Sequence, residues 1–270
     1  MSIWEAFILG ILQGATEFLP VSSSGHLVLV PAVFNLTEPT LNVVAIAHLG
    51  TLVAVLIYFF KDVWEIAVGV LQGLIQRDPM GTTEARLGWY ILVGSIPAAA
   101  LGLLLEEQFE TVFGTPTTAA FFLLGTAGLL ILGEYMRSGL TTLKEMSWLD
   151  AIIIGVFQAL ALFPGISRSG STIVGGLLRG LNREIAARYS FLLGIPVIFG
   201  AGLLSIFDLF GAPDLGQQLP SLVVTFVSAA VSGYACIHFL LQWVKQRGLL
   251  PFAVYCAIFG LSYLIFLAEF

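Results

Sequence analysis

Apolar residues run along this chain in blocks of about twenty, without the polar stripe that a soluble amphipathic helix carries. A helix needs about 20 mostly apolar residues to cross a bilayer. Six stretches meet that length: 42–60, 87–105, 117–135, 187–207, 219–243 and 250–268. Two further stretches, 3–34 and 148–178, are long and apolar but interrupted. The first is broken by Pro20-Val21-Ser22-Ser23-Ser24-Gly25, the second by Pro164-Gly165-Ile166-Ser167-Arg168-Ser169-Gly170. Proline and glycine stop a helix, and the serines bring hydroxyls into what is otherwise apolar sequence. Each half is too short to span alone, so both read as re-entrant helical hairpins. Irregular backbone at membrane depth survives only where protein buries it or where it lines a polar cavity. The short, mixed segment 63–76 reads as an interfacial helix. The pattern predicts an all-α polytopic membrane protein with six transmembrane helices and two re-entrant hairpins, forming one domain over 1–270.

Composition agrees. The chain is 58% hydrophobic and 10% charged, with a mean hydropathy of +0.97. Soluble domains run nearer ~45–50% and ~25%. The formal net charge of −6 argues against a nucleic-acid partner, which calls for a basic face. No basic stretch precedes the first apolar run, so a cleaved signal peptide is not expected. Cys236 and Cys256 both sit in apolar runs and read as packed thiols, and no Cys/His cluster suggests zinc.

Charge placement orients the segments. With 61–86 taken as cytoplasmic, alternation puts Lys61, Arg77, Arg86, Arg137, Lys144, Arg179, Arg183, Arg188, Lys245 and Arg247 on the inside. The outer segments then hold Glu38, Glu106, Glu107, Glu110, Asp208 and Asp214 with no Lys or Arg, and both termini fall outside. Counting the broken segments as full spans spoils this separation. Arg168, in the second break, is the basic residue left over.

The two hairpins are also copies. At a fixed offset of 145, Gly10 maps to Gly155, Gln13 to Gln158, Phe18 to Phe163, Ser22 to Ser167, Ser24 to Ser169 and Gly25 to Gly170. Each half, 1–135 and 146–270, reads as a hairpin plus three spans. An odd number of spans inverts the second copy, so the tips can meet near mid-membrane, an architecture common among transporters.

The breaks carry chemistry. Gln13 and Glu17 are four apart and share a helix face. Ser22, Ser23 and Ser24 follow, and His26 is read as opening the returning half-helix. An ionisable residue at this depth is a functional signal by default. In the second break, Arg168 stands at the position matching Ser23, among Ser167, Ser169, Gly170, Ser171 and Thr172. Helix N-termini attract anions and Arg forks onto phosphate oxygens, so the expected guest is a phosphate or diphosphate. A bare Arg168–Glu17 salt bridge is the plainer alternative. Together the halves hold a nucleophile, a base, an imidazole and a phosphate clamp. Ser23 could attack phosphorus, or Glu17 and His26 could activate water. A divalent cation, Mg²⁺ or Ca²⁺, held by Glu17 and the substrate would neutralise charge.

Gln13-x3-Glu17-Phe18-Leu19-Pro20-Val21-Ser22-Ser23-Ser24-Gly25-His26 and Pro164-Gly165-x-Ser167-Arg168-Ser169-Gly170-x-Thr172 resemble the two signature motifs of the bacitracin-resistance, undecaprenyl-diphosphate phosphatase family. The likeness extends over essentially the whole chain in length, segment order and repeat. It implies hydrolysis of undecaprenyl diphosphate to undecaprenyl phosphate and phosphate at the outer face of a bacterial plasma (inner) membrane. That reaction recycles the lipid carrier of peptidoglycan synthesis. The likeness further implies divalent-metal dependence, and bacitracin resistance, because bacitracin sequesters the substrate. By position it implies that Glu17, Ser23, His26 and Arg168 are the functional residues, supported by Ser167 and Thr172. Many members carry glutamate where this chain has Gln13. An amide cannot act as a base, which shifts the burden to Glu17 and weakens any metal role for position 13.

Among other polar residues, His48 could line the pocket but reads first as an inter-helix hydrogen-bonding group, His238 as interfacial or packing, and Gly10 with Gly14 as a close helix contact. A flippase or transporter of a polyprenyl phosphate is the rival function, since inverted repeats suit alternating access. The acid-base set beside the clamp favours the enzyme.

Overall fold

A computed structural model describes residues 1–113, 115–139, 141–210 and 215–267, without the side chains of 106–113, 204–210 and 215. The acidic side chains of Glu106, Glu107, Glu110, Asp208 and Asp214, expected on the outer face, lie outside the described residues. The described chain is all-helical. The first interrupted stretch forms α1 (Ile3–Phe18) and α2 (Ser23–Phe34), the second α7 (Trp148–Ala159) and α8 (Arg168–Leu178). Between them run α3 (Leu41–Tyr58), α4 (Phe60–Ile75), α5 (Thr83–Phe113) and α6 (Pro116–Met136). After them come α9 (Arg183–Phe210), α10 (Leu215–Gln246) and α11 (Leu250–Phe266).

Local chemistry explains the hairpin boundaries. A reciprocal capping box starts α1, with Ser2 and Glu5 each bonding the other's backbone, and the run toward Pro20 ends it. Ser147 and Asp150 start α7 the same way. Its exit passes through one 3₁₀ turn, Leu160–Leu162, before Pro164 and Gly165 turn the chain back. The returning helices start with side-chain caps. Ser22 Oγ accepts from Gly25 N–H at 3.2 Å and Ser167 Oγ from Gly170 N–H at 3.0 Å. α2 therefore opens at Ser23, and His26 is its fourth residue instead of its first. In the run Ser22-Ser23-Ser24, the serine three residues before Gly25 is the one that caps.

Among the described residues, five helical stretches are long and apolar enough to cross a membrane: Leu41–Tyr58, Thr83–Leu105, Pro116–Met136, Arg183–Leu203 and Gly216–Gln246. The sixth expected span, α11, is apolar but only 17 residues long as described. Large apolar side chains stand outward on these helices, with Leu103, Phe121, Val231 and Ile265 all more than 60% exposed. Such a surface belongs in lipid, and the chain is a multi-pass membrane protein.

Small residues let the hairpins pack tightly. A Cβ on Gly14 would stand 2.4 Å from the Ala229 carbonyl oxygen, and one on Gly10 2.5 Å from that of Thr225. The pair thus forms the expected close contact, between α1 and α10. A Cβ on Gly155 would stand 2.3 Å from the Gly94 carbonyl oxygen, so α7 lies equally close to α5. Ion pairs gather at one end of the bundle. Arg188 binds Asp62 at 2.6 Å, joining α9 to α4, and Lys245 meets Glu184 at 3.4 Å, joining α10 to α9. Glu134 of α6 accepts from Arg137 and Arg183 and from the Leu249 amide.

Candidate active site

The two hairpin tips touch. Gly165, at φ +105°, takes a conformation that glycine adopts freely. Its N–H donates to Ser24 Oγ at 3.4 Å, and Gly25 lies directly against it. Ser169 Oγ donates to the Leu19 carbonyl at 3.1 Å, tying the second tip to the first. Thr126 of α6 buttresses the second tip. Its hydroxyl donates to the Gly165 carbonyl at 2.8 Å and accepts from Ser167 N–H at 2.9 Å. At the first tip, Ser22 holds φ +71°, an uncommon region for a residue with a Cβ. The Ser22 carbonyl there accepts from both His26 N–H and His26 Nδ1, at 3.2 and 2.7 Å.

Glu17 is the centre of the polar cluster and is 5% exposed. Its Oε1 receives Arg168 Nη2 at 3.1 Å. Its Oε2 receives the Ser23 hydroxyl at 2.6 Å and Gln13 Nε2 at 3.0 Å. Arg168 also donates from Nη1 to the Ser190 carbonyl at 3.2 Å, so α9 helps to aim the guanidinium. Ser23 is half-buried, whereas Gln13 is fully enclosed. Among the described residues, nothing donates to Gln13 Oε1 and nothing accepts from Arg168 Nε.

The remaining expected residues divide by position. Ser22 and Ser167 are buried caps, each also 3.3 Å from the next serine but one, Ser24 and Ser169. Gly170 supplies the capped N–H. Thr172 is buried behind the tip, its hydroxyl 2.6 Å from that of Ser190. His26 is 1% exposed and bonds to Ser22 and Tyr255. Its Nε2 lies 2.7 Å from the Tyr255 hydroxyl of α11, and its ring stacks on Phe259.

Three contributors were not singled out in the sequence: Tyr255, Ser190 and Thr126. Each comes from a helix outside the motifs and carries no local signature. His48 takes the second of its two expected places, beside the pocket. Its Nδ1 bonds the Val44 carbonyl of its own helix at 2.8 Å, and its Nε2 stands 3.7 Å from Glu17 Oε2, at the edge of the cluster. His238 Nδ1 lies 3.2 Å from the Tyr58 hydroxyl, a contact between α10 and α3. Among the described residues no three His, Cys, Asp or Glu side chains converge. Any divalent cation here would take part of its coordination from other oxygens.

A family model described as bacitracin resistance protein BacA matches residues 6–262. The chain is 44% identical over 274 residues to the undecaprenyl-diphosphatase of Methanosphaera stadtmanae, covering 98% of each chain. It is 43% identical over 273 residues to that of Chlorobaculum tepidum, covering 98% of this chain and 97% of the relative. It is 43% identical over 267 residues to that of Myxococcus xanthus, covering 99% and 90%. With both signature segments meeting at one buried carboxylate–guanidinium pair, and a match running nearly end to end, the chain belongs to the bacitracin resistance protein BacA family.

Proposed function

We propose that this protein is an integral-membrane phosphatase that hydrolyses undecaprenyl diphosphate to undecaprenyl phosphate and inorganic phosphate, at a site divided between the two hairpin tips. The observation that carries the reading is the Ser23–Glu17–Arg168 network, which sets a hydroxyl nucleophile, a carboxylate base and a phosphate-binding cation within direct contact. Family membership supports the substrate, since the relatives named above are undecaprenyl-diphosphatases.

In this reading Arg168 exchanges part of its hold on Glu17 for the diphosphate oxygens. Its unshared Nε–H supports that role. Ser24, Ser169, Gly170 and Thr172 shape the anion-binding tip, with Ser22 and Ser167 capping the helices that point their N–H groups into it. Glu17 draws the proton from Ser23 as its oxygen attacks phosphorus, and undecaprenyl phosphate leaves with the bond electrons. Water activated by His26 then attacks phosphorus, and the protonated Glu17 returns its proton to the Ser23 oxygen as phosphate leaves. A mass increase of one phosphoryl group on trapped protein tests the Ser23 step, and its absence favours direct attack by water.

The donor set fits a divalent cation shared with the substrate, Mg²⁺ or Ca²⁺. Gln13 Oε1 is a buried acceptor without a partner beside Glu17, and such ions complete their shells with phosphate oxygens and water. When bound, the ion would neutralise charge developing on the diphosphate.

The finer architecture also belongs to this proposal. Six spans and two re-entrant hairpins form an inverted repeat, 1–135 against 146–270. Two reciprocal contacts support it: α1 of the first half packs on α10 of the second, and α7 of the second on α5 of the first. The ion-paired end is cytoplasmic, and the site opens to the external face of a bacterial inner membrane. There bacitracin would compete for the same lipid.

Phosphate release from undecaprenyl diphosphate in detergent, with and without EDTA, tests the reading. Release that EDTA stops and Mg²⁺ restores is expected. Wild-type turnover in Arg168→Ala would overturn the divided site.

A further inference from the structure

His26 is among the most confined polar groups in the molecule, and half of what confines it, Tyr255 and Phe259, lies outside both motifs. Its Nδ1 faces the Ser22 carbonyl at 2.7 Å. A carbonyl oxygen only accepts, so Nδ1 carries the proton and Nε2 of the neutral ring is left with a lone pair. At 1% exposure no bulk water reaches that lone pair. The Tyr255 hydroxyl meets it at 2.7 Å. The two rings lie 5.6 Å apart with planes 10° from parallel, and Phe259, one helical turn further along α11, stacks on His26 at 5.2 Å. The tip of the first hairpin is docked on the same helix turn, with Cys256 Sγ 3.9 Å from the Pro20 carbonyl.

We propose that Tyr255 links His26 to the reacting water. The Ser22 carbonyl fixes the Nδ1–H tautomer, and the phenol O–H donates to the Nε2 lone pair. Tyr255 is 45% exposed, so its oxygen can accept from a water that the enclosed His26 does not meet directly. As the phosphorus–oxygen bond forms in the phosphatase reaction, the attacking water gives a proton to the phenolic oxygen while the phenolic proton passes to Nε2, and the imidazole later returns it to solvent. The inference rests on the phosphatase reading and assigns α11 a role in it.

The experiment compares wild type with Tyr255→Phe, which keeps the ring stack and removes only the hydroxyl, and with Tyr255→Ala. Phosphate release from undecaprenyl diphosphate gives kcat and KM, and selective ¹⁵N-histidine NMR in detergent reads the tautomer. The His26 signals are assigned by their loss in His26→Ala. In wild type, His26 is expected as the Nδ1–H tautomer with a hydrogen-bonded Nε2. In Tyr255→Phe, the Nε2 signal shifts and kcat falls by about tenfold or more, with KM within about twofold. Unchanged kcat with unchanged His26 signals would overturn the proposal. So would a fall in kcat without any change at His26, because Tyr255 would then act elsewhere. A wild type that releases no phosphate would sink the phosphatase reading instead, while the ¹⁵N comparison still reports whether Tyr255 bonds His26. If Tyr255→Ala fails to fold, Tyr255→Phe alone decides.

Discussion

Arg168 Nη2 and Glu17 Oε1 meet at 3.1 Å across the junction of two hairpin tips, 151 positions apart in sequence. The carboxylate is 5% exposed and the guanidinium side chain 13%. Removing one partner of a buried pair leaves the other charge uncompensated, at a cost of about 3–5 kcal/mol. Arg168→Ala should therefore lower the melting temperature more than the double variant Glu17→Gln/Arg168→Ala, in which no charge is stranded. Both should lose at least about 10³-fold in turnover, the scale on which arginine stabilises phosphoryl transfer. A thermal-shift double-mutant cycle measures the first effect and phosphate release the second. Equal melting temperatures for the single and double variants would mean that the pair does not hold the tips together.

The hairpins depend on close helix approach, which makes glycine positions unequal. A Cβ on Gly155 would stand 2.3 Å from the backbone oxygen of Gly94, whereas one on Gly128 meets nothing within 4 Å. Gly155→Ala should destabilise by about 1–3 kcal/mol through overpacking. Gly128→Ala should be neutral or stabilise by up to about 1 kcal/mol from helix propensity. Thermal unfolding in one detergent checks both, and a harmless Gly155→Ala would contradict the α5–α7 contact.

Much of this site was legible in the sequence because local signals carried it. Pro20, Pro164 and Gly165 mark the breaks without any tertiary information. The equivalence of Ser22 with Ser167 and of Gly25 with Gly170 anticipates two identical caps, and both form. The start of α2 was misread because three consecutive serines can each cap, and only packing chooses among them. Tyr255 was invisible for a different reason. An aromatic residue in an apolar helix looks like any lipid-facing ring, and its partner His26 lies 229 positions away. His48 stayed open between two readings because a lone histidine in an apolar run does not say which neighbour its second nitrogen faces. The length of α11 is a fourth limit, since a 17-residue apolar helix sits at the lower edge of what crosses a bilayer.

Gln13 offers a test of the cation. Among the described residues its Oε1 has no donor, and its Nε2 bonds the same Glu17 oxygen that Ser23 uses. Gln13→Glu replaces that bond with two adjacent carboxylates. Without divalent ions the like charges repel, and the melting temperature should fall below that of wild type. With Mg²⁺ added, the variant should gain more thermal stability than wild type does, because an ion that binds only the folded state stabilises it by mass action. The same rise in both proteins would remove Gln13 from any cation site.

Orientation is the last expectation that can be read directly. Lysine and arginine favour the cytoplasmic side, and the ion pairs Arg188–Asp62, Arg183–Glu134 and Lys245–Glu184 gather at one end of the bundle. Arg77, at the end of α4, should share that side, while Glu38, between α2 and α3, should lie on the other. Replacing Cys236 and Cys256 by serine or alanine and placing a single cysteine at each site gives Glu38→Cys and Arg77→Cys. A membrane-impermeant maleimide applied to intact spheroplasts should label Glu38→Cys at once. It should label Arg77→Cys only after the membrane is opened. A third variant, Ser2→Cys, separates re-entrant hairpins from full spans. If the first hairpin returns to its own side, position 2 lies with position 38, outside, and labels from intact cells. If α1 and α2 ran through as one continuous span, the two positions would fall on opposite faces. Labelling of Glu38→Cys without Ser2→Cys would therefore overturn the re-entrant hairpin and, with it, the inversion of the second repeat.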